Sequence, residues 1–400
     1  MAAVADRPDA VDAVGPSPVL RLSLDVSAVP ARAVGAGHYT LHLAGALASR
    51  TDVDLTLFGR RDDILRWPVV APDARLVSAA PSSRPLRLAW EQVRLPRLLA
   101  RSGVAVHHGP HYTMPERSSV PTVVTVHDLS FFEAPEWHER SKVLVFKRAI
   151  ARAARAAAAV VCPSQVTADE LARWCRVDAE VFVAPHGVDT AVFRPDEPRP
   201  GADRASLNAV DRRLADGRPY LLFVGTLEPR KDVPTLVGAF ARVAARHPDA
   251  LLVLAGGAGW GLDAVEEAIA ASGVGASILR TGYVQDETVP ALLRSASAAV
   301  YPALYEGFGL PALEALACGV PLVTTSGTAM EEVAGDAAVL IPPGDLEALA
   351  EAIDAELAGG PGGSSSEARR RRGLDIASAH TWARSADLHL PAYRHAVHLA

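Results

Sequence analysis

Three cysteines in 400 residues, Cys162, Cys175 and Cys318, are too few and too scattered for a disulfide framework or a thiolate metal site. That usage suits a reducing compartment. No run of about 18 uncharged apolar residues occurs, so a membrane-spanning helix is not expected. The stretch from Met1 to Pro18 carries Asp6, Asp9 and Asp12 and lacks the basic start and continuous apolar run of a secretory leader. A frayed tail over 1–17 and a cytoplasmic location are the expectations. Cationic excess is missing too: 40 Lys and Arg against 46 Asp and Glu leave a formal charge of −6, which argues against a nucleic-acid partner. Neither a Gly-x-Ser-x-Gly elbow nor a phosphate loop ending in Gly-Lys-Ser/Thr is found. What remains is an ordinary globular composition, 49% hydrophobic and 22% charged, in a chain long enough for roughly two to three domains.

Short apolar runs alternate with longer amphipathic stretches throughout. Val19–Val26, Val53–Phe58, Thr122–Val126 and Val160–Cys162 read as strands, and helical patterns lie between them. The alternation pauses at Phe193–Pro219, rich in proline and polar residues, and restarts at Tyr220–Val224, Ala250–Ala255, Ala299–Tyr301 and Val320–Thr324. Repeated strand–helix units predict an α/β protein with parallel sheets covered on both faces. The expected organisation is two doubly wound, Rossmann-like domains over 18–195 and 219–380, a linker over 196–218 and a final helix over 381–400. In such sheets ligands bind beyond the carboxyl ends of the strands, so two facing domains would share one cleft. A Gly/Ser-rich stretch, Gly359–Ser366, reads as a second flexible break.

Four segments carry candidate chemistry. In Tyr305-Glu306-Gly307-Phe308-Gly309-Leu310-Pro311, the glycines permit close backbone approach and Pro311 suits a first helical turn. The N–H groups near Phe308, Gly309 and Leu310 would then face an anion. Glu306 and Glu314, expected in that first turn, could grip vicinal hydroxyls; a carboxylate simply capping the helix is the plainer alternative. In Gly225-Thr226-Leu227-Glu228-Pro229-Arg230-Lys231, two cations follow a buried strand, where they could neutralise a diphosphate or form a solvated basic turn. His127 ends another buried strand, placed for polar contacts in a cleft, though a lone histidine is often structural. Gly35-Ala36-Gly37-His38-Tyr39-Thr40 matches only part of a dinucleotide fingerprint, because Thr40 stands where the third glycine would be. That departure weakens a nicotinamide-dependent oxidoreductase as a rival reading. A catalytically silent sugar-nucleotide binder is the other rival, and would not need His127 and Glu306 together. Asp52-Val53-Asp54 reads as a strand entry, and His107, His108 and His111 as loop contacts, so no metal site is expected.

At these segments the chain resembles the family-4 retaining glycosyltransferases of the GT-B fold, from about Gly35 to Ala350. The most specific match is the pair Glu306 and Glu314 in its surroundings, with Ala317-Cys318-Gly319-Val320-Pro321 following. Val126-His127-Asp128-Leu129, Pro163-Ser164, His186-Gly187-Val188-Asp189 and Glu332-Val333-Ala334-Gly335-Asp336 also match. The resemblance implies transfer of a hexose, mannose foremost, from a nucleotide-diphosphate donor to a glycan or lipid-linked acceptor in cell-surface polysaccharide or glycolipid assembly. GDP-mannose is the first donor expected, with dTDP-rhamnose or a UDP-sugar as alternatives, and neither metal nor cofactor is required. It further implies that Arg230 and Lys231 bind the diphosphate and Glu306 the donor sugar. Gly225, Thr226, Gly307, Phe308, Gly309 and Leu310 would line the donor, and Glu314 would hold the ribose. Gly37 would approach the phosphates or acceptor, and His127 would sit beside the reacting sugar. Thr226 departs from the Arg that many members carry after this glycine.

Two helical stretches of the first half are basic. Arg87, Arg94, Arg97 and Arg101 share one face, and Arg148, Arg152 and Arg155 share another beside Val143, Phe146 and Ile150. Such helices either lie on an anionic membrane or present a solvated face over an inward apolar stripe. Arg369–Arg372 reads as a solvated helix face.

Overall fold

The computed structural model describes residues 18–195, 200–359 and 364–400. The tail over 1–17, residues 196–199 of the expected linker and residues 360–363 of the Gly/Ser stretch lie outside the described residues.

Two parallel sheets form the framework. The first holds β1 (Leu20–Asp25), β2 (Val53–Arg60), β3 (Arg75–Ala80), β4 (Val106–Gly109), β5 (Thr122–Thr125), β6 (Ala159–Cys162) and β7 (Glu180–Val183), in the order β3-β2-β1-β4-β5-β6-β7. The second holds β8 (Tyr220–Val224), β9 (Leu251–Ala255), β10 (Ile278–Gly282), β11 (Ala298–Tyr301), β12 (Leu322–Thr325) and β13 (Ala338–Ile341), in the order β10-β9-β8-β11-β12-β13. Both orders reverse direction once, between β1 and β4 and between β8 and β11. A doubly wound sheet opens its crevice at that point. The central strands are buried along their whole length, as their unbroken Val, Leu and Ala runs require when helices cover both faces.

The helices that matter for the site are, in the first domain, α1 (Ala36–Ala48), α2 (Trp67–Val70), α3 (Arg84–Val93), α4 (Leu95–Ser102), α5 (Arg140–Ala156) and α6 (Gln165–Trp174). They continue with α7 (Pro200–Val210), α8 (Val289–Ser295), α9 (Leu310–Ala317), α10 (Ala329–Ala334), α11 (Ser364–Ala379) and α12 (Trp382–His398). The linker expectation needs correction here. Residues 200–210 and 212–215 are helical, and Leu207 and Leu214 are buried in the second core. Arg294 of α8 grips Asp203 of α7 with two hydrogen bonds of 2.7 and 3.1 Å. A pair of leucines seven residues apart outweighs the polar, proline-rich composition around them.

The chain crosses between domains twice, at one place. Val188 donates its N–H to the His380 carbonyl at 2.8 Å and forms an isolated bridge with Thr381. A Cβ on Gly187 would stand 2.3 Å from the Trp382 nitrogen, so glycine lets the two crossings touch. Beyond them α12 lies on the first sheet, where Trp382, Ala386, Leu390 and Tyr393 join its core. A buried polar chain fastens it. Tyr39 Oη meets His389 Nε2 and Thr125 Oγ1, each at 2.8 Å; Thr125 Oγ1 meets His108 Nε2 at 2.8 Å; His108 Nδ1 meets Tyr393 Oη at 2.9 Å.

On the basic helix α5 the apolar and charged residues separate. Phe146 and Ile150 turn inward and are buried. Arg148 and Arg152 lie 3.4 and 3.8 Å from Glu116, and Arg155 lies 4.0 Å from Asp178. Arg369, Arg370 and Arg372 pair with Glu356, Glu367 and Asp336, so this run braces α11 rather than standing free in solvent.

Candidate active site

The loops after β8 and β11 leave adjacent strands at the switch point of the second sheet, which brings two distant sequence segments together. The Leu304 N–H donates to the Arg230 carbonyl at 2.8 Å and ties them. Arg230 and Lys231 both converge on the Glu306 carboxylate. Arg230 Nη1 lies 2.8 Å from Glu306 Oε2, Lys231 Nζ pairs with Glu306 Oε1, and the other Arg230 nitrogen meets Glu228 at 2.6 Å. Lys231 and Glu306 are both buried. Burial, and then the neighbouring Arg230, hold the Lys231 ammonium well below its usual pKa. An incoming dianion would reverse that shift.

Gly309 opens α9 in the left-handed region at φ 98°, where a side chain would also strike Met330. The carbonyl of Gly309 accepts from Ala312 and Leu313. The N–H groups of Phe308, Gly309 and Leu310 lie at the entry to that first turn, at the helix's positive end. Glu314 lies one residue further along than expected: it is the fifth residue of α9, just past its first turn. Its carboxyl still faces the cleft, and burial with Asp286 nearby pushes it up to about 8.

The first domain closes against this loop. A Cβ on Gly307 would stand 1.8 Å from the His127 carbonyl oxygen, so only glycine permits the approach. Ser164 and Thr167 hydroxyls donate to the Gly307 carbonyl at 2.8 and 3.1 Å. Tyr305 Oη accepts the Leu129 N–H at 2.7 Å and donates to Glu170. Glu332 of α10 receives the N–H groups of Gln165 and Val166, at 2.8 and 3.1 Å, at the start of α6. These positioning contacts were not read from the sequence. Ser164 caps α6 by accepting the Thr167 N–H, a pattern that marks a helix start and not a partner across the cleft.

His127 reaches the cleft with its ring buried among Tyr39, Tyr112 and His186. Its Nε2 lies 2.7 Å from the Pro110 carbonyl, which accepts only, so the proton sits on Nε2 and Nδ1 is left as an acceptor. Burial lowers its pKa and keeps the ring neutral. Asp128 was not singled out as a site residue, yet it also lines the cleft. Burial acts to raise its carboxyl, but Arg230 and the Ser130 donors at 2.7 and 3.0 Å outweigh it and hold the pKa below the ordinary value.

Gly225 and Thr226 line the cleft. Gly37 does not: it packs on Pro30 and Ala33, and its N–H is taken by the Val34 carbonyl at 2.8 Å. Gly35 and Ala36 stand on the cleft wall instead. Gly37 is the second residue of α1, its N–H already paired. Among the described residues, no group of three His, Cys, Asp or Glu side chains is placed to hold a metal ion. The cleft encloses about 1110 Å³ between the domains, enough for a nucleotide-sized ligand and a second molecule.

Two facing doubly wound domains, a cation pair and an exposed helix start around one interdomain cleft define a glycosyltransferase of the GT-B type. The comparisons with known proteins agree. Residues 34–192 match Glycosyltransferase Family 4, and residues 208–372 match Glycosyl transferases group 1. O-antigen chain mannosyltransferase B of Escherichia coli is 30% identical over 72% of this chain and 74% of its own length. Sucrose-phosphate synthase from Thermosynechococcus elongatus superposes with a TM-score of 0.74 at 22% identity, over 95% of this chain and all of that one. Anabaena HepE, solved with UDP and glucose, gives 0.69 at 18% identity over 92% of this chain and 97% of that one. The chain belongs to family 4 of the glycosyltransferases.

Proposed function

We propose that this enzyme transfers a mannosyl group from GDP-mannose, with retention at the anomeric carbon, to a hydroxyl of a glycan or lipid-linked acceptor in cell-surface polysaccharide or glycolipid assembly. The observation that carries the reading is the convergence of Arg230 and Lys231 on Glu306 at the start of α9. The mannosyl choice is supported by the E. coli relative's name. The donor's diphosphate competes with Glu306 for both cations. Once they turn to phosphate, the Glu306 carboxylate is released to accept hydrogen bonds from the donor sugar.

In the transfer step, the bond between the anomeric carbon and the β-phosphate oxygen breaks as the acceptor oxygen bonds to the same face. The acceptor's proton passes to the departing diphosphate. Arg230 and Lys231, once turned to the diphosphate, and the N–H groups of Phe308, Gly309 and Leu310 stabilise the charge that builds there. Neutral His127 accepts from a sugar hydroxyl through Nδ1. Glu314 holds the ribose, and its raised pKa makes it a donor as well as an acceptor at neutral pH. Closure through Tyr305 and Gly307 excludes water and so suppresses donor hydrolysis. The helix α5 has no part in this reading: Arg148 and Arg152 meet Glu116, and Phe146 and Ile150 pack inward.

Transfer from labelled GDP-mannose tests the proposal. Lys231→Ala and Glu306→Ala should each lower the rate by about 10²–10³-fold, the scale of losing one preorganised charge-stabilising group, with circular dichroism unchanged. Near-normal rates in both variants would sink it.

A further inference from the structure

Between β4 and β5 the chain makes a strained turn beside His127. Tyr112 has φ 62°, one of two non-glycine residues with positive φ among the described residues. The Thr113 N–H donates to the His111 carbonyl at 2.7 Å and closes a three-residue turn around it. For an aromatic residue that conformation is rare, and it persists only where the surroundings impose it. The turn reaches the reacting centre twice. The Pro110 carbonyl, just before it, takes the His127 Nε2 proton at 2.7 Å. The Tyr112 and His127 rings meet nearly at right angles, 5.5 Å apart. On the strand side the turn is held by the sheet: a Cβ on Gly109 would stand 2.3 Å from the Thr113 carbonyl oxygen, and the Tyr112 N–H donates to Thr125 at 3.0 Å. On the other side two consecutive residues of α3 grip it. Glu91, 1% exposed, accepts the Thr113 hydroxyl on Oε2 at 3.0 Å. Gln92 donates to the Met114 carbonyl at 2.8 Å and accepts the Glu116 N–H at 3.0 Å. Neither side chain lines the cleft.

We propose that Glu91 and Gln92 are positioning residues: through Thr113, Met114 and Glu116 they hold the Tyr112 turn in its strained form, and so fix the Pro110 carbonyl that decides which nitrogen of His127 carries the proton. The inference deepens the reading of His127 as the group that accepts a sugar hydroxyl through Nδ1, and rests on it. With the grip released the turn relaxes, the carbonyl withdraws, and the His127 proton divides between Nε2 and Nδ1. Burial and then Asp25 raise the Glu91 carboxyl to about 8, so near neutral pH it stands as the uncharged acid. Glutamine copies that form in shape and charge, and its amide oxygen can accept the same hydroxyl.

Nitrogen-15 spectra of the histidine rings in the full chain with GDP bound test this, the His127 signals being those lost in His127→Gln. Thr113→Val removes the hydroxyl that Glu91 accepts and keeps the side chain's shape; Gln92→Ala removes the second grip at an exposed position. In each, the signals of Nε2 and Nδ1, well separated in the parent, should move toward one another. Transfer from GDP-mannose to methyl α-mannoside should lose about tenfold or more in kcat, with the Kd for GDP unchanged because the diphosphate site lies in the other domain. Glu91→Gln should keep the parent spectrum and the parent rate. Parent-like His127 signals in both Thr113→Val and Gln92→Ala would overturn the proposal. So would merged signals in Glu91→Gln, or a fall in GDP affinity as large as the fall in kcat, which marks general loosening. Failure of the underlying reading is separate: undiminished transfer in His127→Gln would remove that residue from the chemistry while the spectra still report on the grip.

Discussion

Lys231 is a buried cation whose pKa is depressed by burial and by Arg230, and whose charge is met by Glu306. Glu306→Gln leaves two cations facing one neutral amide. It should weaken the grip on sugar hydroxyls while tightening GDP, because the competing carboxylate is gone; a lower kcat with a lower Kd for GDP checks this. Gly307 works through space alone. Gly307→Ala places a methyl group against the His127 carbonyl, which an open form avoids. Its expected signature is a loss of at least about tenfold in kcat/KM with little change in melting temperature. Buried titrating groups set a further expectation. Burial lowers His107 and His389 to about 4 and His111 to about 3, while unfolded imidazoles take protons near 6.5. Their contribution is full above pH 6.5 and is lost as pH falls toward 4. Glu91 acts oppositely: burial and then Asp25 raise it to about 8 from 4.5, so its contribution is full below 4.5 and disappears as pH rises to 8. Stability should therefore peak near pH 6.5 and decline on the alkaline side by up to about 1.4 kcal/mol per pH unit for Glu91. Thermal melts of Glu91→Gln should show a shallower alkaline slope.

Among the elements, α9 was legible because a glycine, a proline and a C-terminal glycine punctuate it, and each acts locally. The position of Glu314 within it was misjudged by one residue, since Pro311 was taken as the start while Gly309 in the left-handed region sets it at Leu310. α7 was hidden: proline and polar residues dominate its window, and its leucines count only once the second core exists to bury them. Pro96 divides the basic stretch from 86 to 101 into α3 and α4, so its arginines do not share one continuous face. The start of α6 is where the two domains meet. Ser164→Ala with Thr167→Val removes both donors to the Gly307 carbonyl, at about 1 kcal/mol each. Slower transfer and faster donor hydrolysis relative to transfer are expected, read from one labelled-donor assay.

For the molecule as a whole, the reversal of strand order in each sheet places the loops after β8 and β11 side by side, opposite the ends of β1, β4 and β5. The two crossings at Gly187 and Thr381 leave a narrow joint between the domains. Ligand binding across the cleft should stabilise both halves together. At about 100 times Kd, the cognate nucleotide contributes roughly 2.7 kcal/mol, and a rise of several degrees in melting temperature with GDP, exceeding that with UDP or dTDP, checks the donor proposed here. The last helix is part of the first domain's core, tied by the Tyr39–Thr125–His108–Tyr393 chain. Truncation before Thr381 uncovers that core and should leave the chain insoluble on expression.

The sequence by itself determined the α/β class, most of the strands though not β3 or β13, the glycine-punctuated start of α9 and the residue types able to meet a diphosphate. Each of these follows from periodicity and backbone chemistry acting over a few residues. Tertiary structure decided that Arg230, Lys231 and Glu306 share one charge cluster, that Gly37 faces inward while Gly35 faces the cleft, and that residues 200–215 belong to a core. Those outcomes depend on which strands become neighbours and how closely two domains approach, and such long-range contacts leave no local pattern to read.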